Sequence, residues 1–181
     1  MKTRLAAAGA ILLLVGTPAS AHRLDEYLQA TIISVEKDRI QAQIRLTPGV
    51  AVFRKVLANI DTDADGIISE AEQRAYAERV LSDLSLTIDG DHLRLRLVSL
   101  KFAKTEEMRK GRGDIELEFN ADVPRGGPNR RLIFKNRHQK RIAAYLVNCL
   151  VPRDPDIRVT AQNRNYQQSF YQLDYVQAGV R

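Results

Sequence analysis

Along most of this chain, apolar and polar residues alternate with a period of two. Leu28, Ala30 and Ile32 alternate with Gln29, Thr31 and Ile33. After a polar turn at Glu36–Arg39, Ile40, Ala42, Ile44 and Leu46 alternate with Gln41, Gln43 and Arg45. Successive side chains of a strand point to opposite faces, so the pattern predicts an opening β-hairpin with one apolar face. Leu84, Leu86 and Ile88 run into Asp89-Gly90, a favoured two-residue hairpin turn, and Leu93, Leu95 and Leu97 alternate with Arg94 and Arg96 beyond it. Ile115, Leu117 and Phe119 alternate with Glu116 and Glu118, which predicts a strand with an acidic outer face. Pro124–Asn129 reads as a loop, and further strands are expected around 131–136, 142–151, 156–161 and 166–176. Lys104–Gly113 admits either a long loop or one helical turn.

Two stretches break this rhythm. Phe53, Val56, Leu57 and Ile60 recur at i, i+3, i+4 and i+7, as do Ala77, Val80, Leu81 and Leu84. That spacing puts each set on one helical face. The predicted fold class is therefore α+β: an antiparallel β-sandwich-like sheet of seven to nine short strands, with one helix–loop–helix at 48–84 inserted between strands.

The segment joining those helices is Asp61-Thr62-Asp63-Ala64-Asp65-Gly66-Ile67-Ile68-Ser69-Glu70-Ala71-Glu72. Read as a twelve-residue calcium loop, it puts Asp61, Asp63 and Asp65 at positions 1, 3 and 5. The Ile67 carbonyl falls at 7, Ser69 at 9 and the two-oxygen carboxylate of Glu72 at 12. Gly66 occupies position 6, where the chain turns sharply. Ca²⁺ is a hard cation that takes six to eight oxygens, and this spacing wraps such a set about one point. Ser69 and Glu72 also spell a helix capping box, S-x-x-E. On these residues 48–84 resembles the EF-hand calcium-binding family. Such hands commonly pair through position 8, here Ile68, and no second loop is present; Ile68 is expected either to sit on the sheet or to meet a second chain.

The amino terminus reads as a leader. Met1–Arg4 is basic, Leu5–Val15 is apolar, and Ala19-Ser20-Ala21 presents small residues for cleavage before His22. The expectation is a signal peptide at 1–21, cleaved after Ala21, and a single exported β-rich domain at 22–181 located in the periplasm. Loss of Lys2 and Arg4 with the leader lowers the net charge from +6 to +4, so the acidic loop is an island in a basic protein. Basic residues crowd Arg125–Arg141, read here as a solvated face, with an anionic membrane or partner as the functional counterpart. Export, and the absence of an aromatic–basic interleaving in a nucleic-acid-binding pattern, argue against nucleic acid. The single Cys149 precludes an internal disulfide and reads as a small core residue of a buried strand.

The order of these features also resembles the extracytoplasmic N-terminal domain of hydrogenase/urease accessory permease-like membrane proteins. Ala21-His22, the strands at 27–46, Asp61–Glu72 and Leu86–Leu97 carry that likeness. A multi-helix membrane domain follows in that family; residues 22–181 contain no membrane span, so the resemblance carries over neither transport nor any catalytic activity. The sequence is thus read as a non-catalytic exported domain whose cofactor is Ca²⁺, stabilising the fold or an interaction surface. One alternative is a periplasmic Cu/Ni-binding accessory protein that chelates the metal through the α-amine and imidazole of His22 at the mature N-terminus. Another is an interaction module for a membrane permease or other envelope protein, using the aromatics of 163–175. No nucleophile elbow, H-E-x-x-H or paired-histidine spacing points to an enzyme.

Overall fold

The computed structural model describes residues 25–179, so the leader at 1–21 and His22 lie outside the described residues. In chain order the elements are β1 (Tyr27–Val35), β2 (Arg39–Pro48), α1 (Phe53–Leu57), α2 (Glu70–Ser82), β3 (Leu84–Ile88), β4 (Asp91–His92), β5 (Arg96–Phe102), α3 (Thr105–Arg109), β6 (Ile115–Asp122), β7 (Asn129–Asn136), β8 (Ala143–Cys149), β9 (Ile157–Arg164) and β10 (Phe170–Gln177). The strands form two five-stranded sheets, ordered β5-β6-β2-β1-β8 and β4-β3-β7-β10-β9. Ile33, Ile44, Leu117 and Phe119 from the first sheet share one core with Leu86, Leu132, Phe134, Leu173 and Tyr175 from the second. The fold is thus mostly strand, with the alternating apolar positions of both sheets turned toward each other.

Four features depart from the sequence expectation. The first sheet is not wholly antiparallel, because β8 runs parallel to β1 with Tyr27 opposite Ala143 and Ile33 opposite Cys149. After β7 in the second sheet, the chain turns at 138–142 and enters the first sheet from the end where β1 begins. The inward face of β1 is also the opposite of the apolar set: Tyr27, Gln29, Thr31, Ile33 and Val35 are buried while Ile32 is 44% exposed. A strand's side-chain period of two makes this a choice between whole faces. Two inward aromatic and β-branched anchors, Tyr27 and Ile33, outweigh the smaller Leu28 and Ala30. Gln29 is made tolerable by bonds to the His138 carbonyl (3.0 Å) and Asn136 Nδ2 (2.9 Å).

The hairpin expected at 84–97 is real but short. Asp89 and Gly90 take φ 54° and 99°, as a mirror-image hairpin turn demands, and the pairing then covers only Asp91 and His92. The chain next crosses to the other sheet, where β5 pairs with β6. A register shift between Leu97 and Ser99 lets both Leu97 and Leu100 lie against the core although they are three residues apart. Finally, the apolar run at 142–151 is an edge strand rather than a strand buried on both faces: Leu146, Leu150 and Val151 are exposed. Cys149 is half-buried against the core, and burial pushes its thiol up to about 11. Lys104–Gly113 contains the short helix α3, which buries Met108.

Helices α1 and α2 leave the sheets between β2 and β3. Phe53, Val56 and Ile60 on the first side and Ala77, Val80 and Leu84 on the second are buried, as the helical spacing requires. Helix α2 touches β5 of one sheet and β3 of the other, so it bridges the two layers. That bridge fixes the loop between α1 and α2 against a rigid framework.

Candidate metal centre

The loop begins where the apolar face of the first helix ends. Ile60 is 1% exposed, and Asp61 behind it is only 8% exposed. Each of the three aspartates ties one carboxylate oxygen to a backbone N–H further along. Gly66 N donates to Asp61 Oδ2 at 3.1 Å, Asp65 N to Asp63 Oδ1 at 3.3 Å, and Ile67 N to Asp65 Oδ1 at 2.7 Å. Short acidic side chains favour such local turns because the carboxylate competes for nearby backbone donors. Gly66 sits at φ 86°, a region open to glycine at little cost.

These turns bring Asp61, Asp63 and Asp65 together, with one oxygen of each within 4.8 Å of the others. Three carboxylates that close repel one another. Asp61 Oδ1 is in addition buried and has no hydrogen-bond partner. An unsatisfied buried polar atom costs about 1–3 kcal/mol, and more when the group is charged. A cation at the centre of the cluster would relieve that repulsion. The donor set is all oxygen, which suits Ca²⁺ or Mg²⁺ and not a softer metal. The residues present therefore fit the ion.

Glu72 does not join that cluster. Its Oε1 accepts from Thr62 N at 2.6 Å and from Thr62 Oγ1 at 3.2 Å. Its Oε2 accepts from Ser69 N at 3.0 Å and Ser69 Oγ at 2.9 Å, while Glu72 N donates back to Ser69 Oγ at 3.3 Å. This is the capping box read from the sequence, with an added tie across the loop to Thr62. The backbone N–H groups of Ser69 and Thr62, followed by the Ser69 hydroxyl, lower the Glu72 carboxyl to about 2. Ser69 is exposed, as is the Ile67 side chain. Ile68 lies partly buried against the core of its own chain, the first of the two expectations for it.

A second constellation gave no sign in the spacing. His138, one of a crowd of basic residues in sequence, is 4% exposed, packed beside Tyr27 of β1 and Tyr76 of α2. Its Nδ1 meets Asp83 Oδ2 at 2.8 Å, its Nε2 meets Tyr76 Oη at 3.0 Å, and Tyr76 Oη meets Tyr27 Oη at 2.7 Å. Burial lowers the His138 pKa despite the opposing pull of Asp83, and burial raises both tyrosines well above their ordinary range. A neutral imidazole between two un-ionised phenols and one carboxylate is a buried structural network: Tyr27 and Tyr76 are fully covered. The one available signal was Tyr76, four residues before Val80 on the apolar face of its helix. Arg130, in the same basic crowd, is buried and paired with Asp89 at 2.7 Å, so that crowd is not wholly a solvated face.

No protein-family model, curated protein or solved structure matches this chain. Among the described residues, no helix is long and apolar enough to cross a membrane.

Proposed function

We propose that this protein is a non-catalytic exported domain that binds one Ca²⁺ in an EF-hand-like loop carried between two strands. The observation that carries the reading is Asp61 Oδ1, a buried carboxylate oxygen without a partner, on a residue that clusters with Asp63 and Asp65. Asp61, Asp63 and Asp65 hold the ion, and the spacing assigns the Ile67 carbonyl, Ser69 and Glu72 to complete the oxygen set. A lone hand whose Ile68 is seated on its own core is suited to bracing two helices rather than to opening as a sensor. The export reading rests on the leader at 1–21. The Cu/Ni alternative rests on His22; His138 is committed to Asp83 and Tyr76, which leaves His92 alone as a second histidine nitrogen.

The test is thermal unfolding in chelator and in millimolar calcium. At free calcium ten times Kd, mass action adds about 1.4 kcal/mol to stability. The melting temperature is expected to rise with calcium in the wild type, and Asp61→Ala and Glu72→Ala are expected to abolish the rise. Identical wild-type curves in the two conditions would refute the reading.

A further inference from the structure

Between β7 and β8 the chain turns through residues 138–142, and Gln139 takes a left-handed conformation at φ 46°. Few residues other than glycine adopt it, and such strain persists only where the surroundings impose it. Here the surroundings are specific. The His138 carbonyl accepts from Gln29 Nε2 at 3.0 Å and Tyr145 Oη at 2.9 Å, and His138 N donates to Asn136 Oδ1 at 2.9 Å. Gln139 Nε2 reaches Tyr76 Oη at 3.4 Å, and Ile142 N closes the turn onto Gln139 O at 3.0 Å. A buried polar network thus holds an exposed turn rigid.

That turn presents positive charge. Arg137, Lys140 and Arg141, with Lys55 from α1, line a cleft of about 590 Å³ that Asn59, Gln139 and Ile142 complete. Its single acidic lining residue is Asp83, whose Oδ2 is already bonded to His138 Nδ1. None of the four cations forms an ion pair among the described residues, whereas Lys37, Arg45, Arg96 and Arg131 elsewhere on the surface all do. Like charges around a concavity concentrate positive potential within it.

We propose that this cleft binds a phosphate-bearing anion through Lys55, Arg137, Lys140 and Arg141. Two guanidinium groups match phosphate oxygens with paired donors, and two ammonium groups add point charges around them. The cleft has room for a group larger than orthophosphate. The shared chemistry belongs equally to a soluble phosphate compound and to the headgroup of an anionic phospholipid. The site needs no metal and stands apart from the calcium reading.

The experiment is run in chelator at 0.15 M salt, where long-range attraction between exposed charges is largely screened. Calorimetry with inorganic pyrophosphate probes the soluble source. Co-sedimentation with phosphatidylglycerol against phosphatidylcholine vesicles probes the lipid source. Lys140→Glu/Arg141→Glu is expected to weaken binding by about tenfold or more. Arg94→Glu/Lys101→Glu makes the same net-charge change at exposed positions away from the cleft and is expected to leave binding within about twofold. Circular dichroism of both variants checks that the fold is kept. Binding of either probe that only the cleft variant loses supports the site and identifies the source. No binding to either probe, or binding that both variants lose alike or keep alike, overturns it.

Discussion

At Asp61 one carboxylate oxygen is tied to Gly66 N and the other has no partner, although the residue is nearly buried. The tied oxygen shapes the loop, and under the proposed function the free one is available to a cation. Asp61→Asn separates those roles, because the amide oxygen still accepts from Gly66 while the negative charge is gone. In chelator, Asp61→Asn is expected to melt no lower than the wild type, since it removes repulsion from Asp63 and Asp65. In calcium it is expected to show no rise. Differential scanning calorimetry of both proteins in both conditions reads the contrast; a variant that melts well below the wild type in chelator would show Asp61 to be structural without a metal. The carboxylates at 61, 63 and 65 were legible in the sequence because the loop is local. What Glu72 does was only half legible: its cap to Ser69 follows from spacing, while its bond to Thr62 closes the loop across ten residues.

Among the elements, α2 owes its start to that capping box and its position to an apolar face carrying Tyr76, Ala77 and Val80. Ser69→Ala removes both the acceptor for Glu72 N and a donor to Glu72, at an expected cost of about 0.5–2 kcal/mol. Urea denaturation in chelator measures it, and an unchanged midpoint would mean that packing alone sets the helix start. Helix α1 is shorter than its apolar stripe predicts, only Phe53–Leu57, with no side-chain cap at Val52. A helix that short gains little from its own hydrogen bonds, so burial of Phe53 and Val56 holds it. Strand β8 shows the limit of hydrophobicity read alone. An apolar run fits a central strand and an edge strand equally well, and only the pairing to β1 on a single side decided between them.

For the whole molecule, the Tyr27–Tyr76–His138–Asp83 chain joins β1, α2, its C-terminal cap and the turn before β8. It is also where pH acts on stability. Burial holds the His138 pKa below its ordinary 6.5, so the folded state prefers the neutral ring. The groups facing it are Asp83, Arg79, Tyr76 and Tyr27; only Asp83 favours the charged form. Stability from this site is therefore full above 6.5 and is lost as pH falls below it, toward the lowered folded value. The urea midpoint in chelator is expected to drop between pH 7 and about pH 5.5, and His138→Gln to lessen that drop. An equal drop in both proteins would assign the acid sensitivity to other groups.

Spacing within a dozen residues was enough to read the acidic loop, the helix cap, the hairpin turn at Asp89-Gly90 and most strands, because each depends on neighbours along the chain. Which face of β1 turns inward, which sheet receives β5 and β8, and where His138 goes depended on partners far away in sequence. Tyr27 and Tyr76 are 49 residues apart, and Tyr76 and His138 are 62 apart. Contacts of that kind are settled by competition between alternative burials of the whole chain. A basic stretch that reads as uniform in sequence was accordingly divided by the fold: His138 and Arg130 went inside, and Lys140 and Arg141 were left lining an open cleft.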